Sequence, residues 1–453
     1  MAEELSPLMK QINQGNWLPH TEAESLRDQL YYQNAVQAYI LTIPILNVIG
    51  LRDGIAWTAA PGFPTPNADV IYSMSYLDLK QDGPLVVAAP PNVMGMFTDF
   101  YQRTITDVGA TGPDGANGGL YLLLPPGYDQ QVPGGYFSFR SSTNNVLLFF
   151  RTMMPRGEDG PDPAPAVENA EQTRVYPLWT AEKDVKPMEF PNGSGIRINM
   201  MYPVDNSYWT KLKAFVDYEP VDAIDPITRG LLAAIGIVKD GPFQPNDTQN
   251  AALQKAVAMA PRMVLAARQL GRPDKRHLYY PDRQYQNTWA CATAEWMQDG
   301  YLDVAQRASY FQAAYASSPA MVMRTIDGGS KYPFTTRDAT GEFLDGSNSY
   351  KLHLPPNPPA ELFWAVTAYN ITDGTMTAAE QLLPSVNGLD GVKTNADASV
   401  DVYFGPGKPA EAADTNWIQT VDGLNFLVTV RLYGPGVDFF DQTWKPDDLV
   451  KMN

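Results

Sequence analysis

Sulfur and imidazole are nearly missing from this chain. Cys291 is the single cysteine among 453 residues, which excludes a disulfide framework and a cysteine-rich metal centre. The three histidines, His20, His277 and His353, are scattered and share no metal-ligand spacing. No metal is therefore expected. A Ser–His–Asp triad has little to draw on either: Gly193-Ser194-Gly195 is not a G-x-S-x-G elbow, and His353 sits in a proline-rich stretch with no evident partner. Cys291, with nothing cationic beside it in sequence, reads as a small buried hydrophobe. Neither a G-x-G-x-x-G nor a Walker motif occurs, so the expected cofactor complement is none.

Charge is scarce as well. Only 18% of residues are charged, against the usual quarter. What charge there is leans acidic, with a net value of -17 and no basic run. Nucleic acid and anionic membrane surfaces are thus poor partners, because neither would be attracted. Long apolar runs are also wanting. The most apolar window, Ala35–Gly50, is broken by Gln37, Thr42, Pro44 and Asn47 and falls short of the roughly 20 residues of a membrane span. The opening MAEELSPLMKQINQGNW lacks the basic start and apolar middle of a signal peptide. Low charge and high Asn, Pro and aromatic content point to a periplasmic or secreted protein, with a cytoplasmic one as the alternative.

In place of charge stand Gly, Pro, Asn, Gln, Thr and Tyr, a palette for turn-rich β structure. The stretch Pro64–Arg103 holds two apolar strands, Val70–Leu79 and Leu85–Ala89, joined by Gln81-Asp82-Gly83-Pro84. Further strands are expected at Leu120–Leu124, Tyr136–Arg140 and Val146–Arg151. Ahead of the stretch, Thr21-Glu22-Ala23-Glu24 fits a capping box. A helix should follow it, packing through Leu26, Leu30, Ala35, Tyr39 and Leu46 and kinked near Pro44, with Arg52–Pro64 as a loop. From Tyr202 the period becomes helical: Asn206–Tyr218, Pro226–Ile235, Asp247–Leu270 with a break at Pro261, and Asp303–Ser317. Strands return at Leu362–Thr367, Val400–Phe404 and Phe426–Leu432. The expected class is α+β: an N-terminal helix and β-rich domain over 1–202, a helical section over 203–335, and a C-terminal β-sandwich over 336–453.

Two sets of motifs resemble known families. TPNADVIYSMSYLDLKQDGPLVV, YLLLPPGY and the Arg151 strand resemble domain-of-unknown-function family 1254. FWAVTAYN, TNADASVDVYFGP, NWIQT, LVTVRLYGP and TWKPDDL resemble family 1214. The chain departs from them at Gly95-Met96-Phe97, where members have Gly-Arg-Tyr, and at Asp397-Ala398-Ser399, where they have Asp-Gly-Ser. The resemblance implies two β domains around an inserted helical section, the second jelly-roll-like, and carries over no catalytic residue.

Without histidine, acid–base chemistry falls to carboxylates, tyrosine and arginine shifted by their surroundings. Asn67, Asp69, Tyr72, Asp99, Arg103 and Arg151 are polar residues set among apolar strands. Asp69 and Asp99 could serve as donor and acceptor toward a glycosidic, ester or lyase substrate; an Asx turn and a buried ion pair explain the same residues. A second group, Trp364, Tyr369, Asp397, Asp401, Asn416, Trp417, Arg431 and Trp444, suits a sugar-like ligand or an aromatic core. Asp69, Tyr72, Asp99 and Arg151 are the catalytic candidates; Asn67, Arg103, Trp364 and Arg431 are the ligand-binding ones. They are expected to face each other across a cleft between the two β domains. Two functions fit: a cofactor-independent hydrolase or lyase on a small polar or carbohydrate molecule, or a non-catalytic ligand-binding or assembly protein, either of them compatible with a homo-oligomer.

Overall fold

The computed structural model describes residues 17–55, 69–157, 160–180, 191, 193, 199–272, 275–377, 379–381 and 383–452. Asn67, Ser194 and most of the expected loop Arg52–Pro64 lie outside them. Numbered below are the strands of the two pairs of larger sheets and the principal helices.

Helix α1 (His20–Ile55) spans 36 residues and runs through Pro44. It starts one residue ahead of Thr21, so the expected capping box lies inside it. Ala35, Tyr39 and Leu46 are buried as expected, but Leu26 and Leu30 are 44% and 57% exposed. The first buried residue is Ala35, so the apolar period outruns the part of the helix that its neighbours cover. The whole helix is long and apolar enough to cross a membrane, unlike the window Ala35–Gly50 taken alone, yet 78% of its most apolar window is buried inside the protein.

Eight strands follow: β1 (Val70–Asp78), β2 (Leu85–Ala89), β3 (Val93–Asp99), β4 (Thr104–Val108), β5 (Gly119–Leu124), β6 (Phe137–Arg140), β7 (Asn145–Met153) and β8 (Arg174–Pro177). They form two four-stranded sheets, ordered β1-β7-β3-β4 and β8-β2-β5-β6. Leu77, Val87, Phe97, Tyr121, Leu148 and Phe150 fill the space between them. Successive side chains alternate across a strand, so Leu147 and Phe149 leave this core and pack instead against the helices. At the loop before β5, Asp114 accepts hydrogen bonds from the Gly109 amide at 2.7 Å and from the Tyr121 hydroxyl at 2.6 Å, an internally clamped turn.

The helical layer comprises α2 (Ser207–Tyr218), α3 (Pro226–Ala234), α4 (Asp247–Leu270) and α5 (Val304–Ala313). Helix α1 packs on all four, so this layer joins the N-terminal helix to the central helical section. Helix α4 starts at Asp247 as expected, and Asn246 caps it through a capping box with Gln249. Pro261 does not break α4, and its carbonyl accepts from Gln312 Nε2 at 2.8 Å, which ties the helix to α5. Helix α5 stops short of the expected Ser317, because Ala314 is fully extended.

Nine strands build the C-terminal part: β9 (Ser330–Lys331), β10 (Phe334–Thr335), β11 (Tyr350–Leu354), β12 (Ala360–Asn370), β13 (Ser385–Asn387), β14 (Val400–Gly405), β15 (Trp417–Gln419), β16 (Phe426–Pro435) and β17 (Val450–Lys451). One sheet is ordered β9-β16-β12-β13 with β10 also on β16; the other is β15-β14-β11-β17. Leu352, Val366, Val402, Val428, Val430 and Leu432 pack between them. The first strand of the former sheet, β9, lies ahead of the expected boundary at residue 336. His353 is not in a loop: it lies on β11, opposite Asp401 of β14, with Nδ1 and Oδ1 2.7 Å apart. The protein is α+β and rich in β structure.

Candidate functional site

Each sandwich has one sheet whose outer face is turned away from its own core. On β16, Val428, Val430 and Leu432 point inward, so Leu427, Thr429 and Arg431 point out. On β7, Leu148 and Phe150 point inward, leaving Phe149 and Arg151 outside. The two outer faces and the helical layer enclose a cavity of about 690 Å³. Its walls are Tyr72, Met96, Phe149 and Arg151 from the first sandwich, and Tyr332, Phe334, Leu427, Thr429 and Arg431 from the second. The end of α4, the segment Gln286–Trp289, and α5 with its flanks complete it. The size is that of a small-molecule site.

Two guanidinium groups mark its polar end. Tyr72 and Arg151 are direct cross-strand neighbours on β1 and β7. Arg151 Nη1 donates to the Tyr332 hydroxyl at 3.5 Å, and its buried Nε makes no hydrogen bond. Arg431 Nη1 donates to the Tyr433 hydroxyl at 3.3 Å, and its Nη2 donates to that of Tyr369. The Arg431 guanidinium also lies 5.3 Å from the Tyr332 ring centre and 5.5 Å from that of Tyr369, a cation–π arrangement.

Tyr332 therefore stands beside both cations, and its hydroxyl also meets the Ser330 hydroxyl. Burial pushes the Tyr332 phenol up, but the fields of Arg151 and Arg431 outweigh it, and its pKa ends below the ordinary tyrosine value. For both arginines burial favours loss of the proton, and the surrounding tyrosines outweigh that, holding the guanidinium groups charged.

Toward the helical end, burial lowers the Arg268 pKa to about 10. Its hydrogen bonds run to neutral acceptors, Ser309, Gln312 and the Ile371 carbonyl. Arg272 pairs with Asp303. Among the described residues, the cavity is thus lined by four arginines and one carboxylate, Asp303, in a chain whose net charge is -17. Among the described residues no group of three or more His, Cys, Asp or Glu is placed to hold a metal.

Of the sequence candidates, Tyr72, Arg151 and Arg431 come together here. Tyr369, from the second group, joins them through its hydrogen bond from Arg431, whereas Asp69, Asp99, Arg103 and Trp364 go elsewhere. Asp69 Oδ1 is held by Arg156 at 2.8 Å and by Asn387 Nδ2 at 2.6 Å, and Arg156 reaches on to Asp390 at 3.1 Å. This is a link between the two sandwiches, not a cavity wall. Asp99 accepts from the backbone amides of Tyr101 and Arg103, at 2.8 and 2.9 Å, and pairs with the Arg103 side chain at 2.6 Å. Arg103 then bonds the Ala223 carbonyl at 3.0 Å, so Asp99 and Arg103 clamp the β3–β4 turn against the helical layer. Neither carboxylate of the expected Asp69/Asp99 pair lines the cavity.

Trp364 sits on β12, one residue before Ala365, the cross-strand partner of Arg431. It consequently faces the sandwich core on the opposite side of the sheet. The sequence reading also missed Tyr332, Tyr310, Trp289 and Arg268. Tyr332 lies between two strands of two residues each, too short for a periodic signal, and Arg268 looks like any basic residue in a last helical turn.

The fold and cavity define a class: a two-sandwich α+β protein with an arginine-bearing pocket between its halves. The family described as "Protein of unknown function (DUF1254)" matches residues 52–177, and that described as "Protein of unknown function (DUF1214)" matches residues 329–437. The two matches follow each other in that order along the chain. No curated protein matches it in sequence. The crystal structure of the VPA0106 protein from Vibrio parahaemolyticus is similar over 93% of this chain and 100% of that one, at 17% identity and a TM-score of 0.56. That likeness concerns the fold alone. An uncharacterized protein from Burkholderia cenocepacia aligns over 98% of each chain, at 13% identity and a TM-score of 0.40, which carries no argument.

Proposed function

We propose that this protein binds a small carboxylate-bearing molecule with a flat apolar body in the cavity between its two β domains. The observation that carries the reading is the inversion of charge. Among the described residues, four arginines and a single, already paired carboxylate line a mostly apolar chamber in a strongly acidic chain. Low-dielectric walls concentrate that positive field on whatever enters. An anion seated on Arg151 and Arg431 gains charge-assisted hydrogen bonds of about 1.5–3 kcal/mol each. Tyr72, Phe149, Trp289 and Tyr310 offer ring faces to the rest of the ligand.

Of the two functions read from the sequence, ligand binding has the stronger support. A hydrolase built on paired carboxylates would need both in one place, and Asp303 alone lines the cavity among the described residues. A carbohydrate ligand fits this chamber best if it is acidic. We also read the C-terminal sandwich as jelly-roll-like, on the strength of its two facing, mostly antiparallel sheets. The test of the binding reading is a crystal soaked with naphthylacetate. Electron density is expected with the carboxylate between Arg151 and Arg431 and the ring system toward Trp289; density only at the surface would end the proposal.

A further inference from the structure

We propose that Tyr332 is a general base that removes a proton from the carbon next to the carboxylate of the bound ligand. The inference rests on the binding reading above and adds a reaction to it. The geometry begins with donors. Guanidinium groups only donate hydrogen bonds, so the Tyr332 oxygen must accept from Arg151 at 3.5 Å. The Ser330 hydroxyl on its other side can donate too. With Arg431 lying over its ring, the phenol is surrounded by groups that favour its anion. The lowered pKa of Tyr332 agrees with this arrangement. Tyr310, Tyr369 and Tyr433 stand around the same two arginines and are displaced upward, whereas Tyr332 is displaced in the acidic direction.

An acid seated on Arg151 and Arg431 brings its α-carbon beside this oxygen. The α C–H bond breaks, its proton goes to the Tyr332 phenolate, and its electron pair moves into the carboxylate as an enediolate. The two guanidinium groups stabilise the added negative charge, which grows only in the transition state. The proton then returns from Tyr332 to the same carbon, or to a conjugated one, which shifts a double bond. No oxidant, reductant or co-reactant is consumed.

Styrylacetate in heavy water tests the step, since its α-protons are flanked by a carboxylate and an alkene. Binding is read by calorimetry, and α-deuteration and double-bond migration by proton NMR. The expected result is deuteration at least tenfold above the buffer rate, rising with pH as Tyr332 ionises. Tyr332→Phe should bind styrylacetate within threefold of the parent and lose the excess rate. In the parent, one tyrosinate absorbance step should come at lower pH than that of an ordinary tyrosine, and this early step should disappear in the same variant. If styrylacetate binds and no excess deuteration occurs, or if Tyr332→Phe deuterates as fast as the parent, the proposal is overturned while the binding reading stands. If styrylacetate does not bind at all, both fall.

Discussion

Asn387, on β13 of the C-terminal sandwich, donates a hydrogen bond of 2.6 Å to Asp69, at the foot of β1 in the N-terminal one. With Arg156 and Asp390 it forms a polar link across the domain boundary. Such a link orients two rigid halves, and it accounts for Asp69 without any reaction. Asp69→Ala should lower the unfolding free energy by about 3 kcal/mol, because Arg156 loses its more buried partner. Urea denaturation measures that loss. Naphthylacetate binding to the folded fraction should change less than threefold; a large loss of affinity would return Asp69 to the list of site residues.

Asp99 and Arg103 make a parallel case. Asp99→Asn should cost about 1–2 kcal/mol of stability by weakening the β3–β4 turn and its clamp, with ligand affinity unchanged by calorimetry. Arg151→Met and Arg431→Met are expected to do the reverse. Each should weaken naphthylacetate at least about tenfold, or about 1.4 kcal/mol, while the protein remains folded by circular dichroism.

Lys331 provides a pH signature apart from the cavity. Its ammonium bonds the Met321 carbonyl at 2.8 Å, and burial lowers its pKa to about 8. The unfolded chain holds that proton up to about pH 10.4. In the window between, the unfolded state binds more protons than the folded one, so stability rises with pH. The contribution is complete above the unfolded value and is lost as pH falls through about 8. Buried tyrosines such as Tyr39 and Tyr280, whose pKa values burial raises, oppose the rise above about pH 10. Denaturation midpoints should therefore climb from about pH 8 to about pH 9.5, and Lys331→Met should flatten the climb. An equal slope in the variant would assign the effect to another group.

Much of the fold was legible because hydrophobic period is a local signal. Strand β2 and helix α4 stand where Leu85–Ala89 and Asp247–Leu270 were expected. What the period could not show was which neighbour covers an element. Leu26 and Leu30 continue the apolar repeat of α1 beyond its partners and so lie exposed. Strand β4, with the sequence TITDV, escaped notice because its polar alternation resembles a loop.

At the site, Tyr72, Arg151 and Arg431 were visible as polar residues on otherwise apolar strands. Asp69 and Asp99 shared that appearance, and only the third dimension separates a domain link and a turn clamp from a cavity wall. Trp364 fell on the wrong face by a single residue of strand alternation. Tyr332 gave no sign at all, since its importance comes from two arginines at positions 151 and 431 in different domains.

The central claim is that the cavity recognises a carboxylate through Arg151 and Arg431. Calorimetric titration with naphthylacetate and naphthylacetamide tests it most directly, because the two ligands share shape and apolar area and differ in charge. The acid should bind at least about tenfold more tightly, equivalent to about 1.4 kcal/mol, and Arg431→Met should erase the difference. Equal affinity for acid and amide in the parent protein, or a preference that survives in Arg431→Met, would contradict the account.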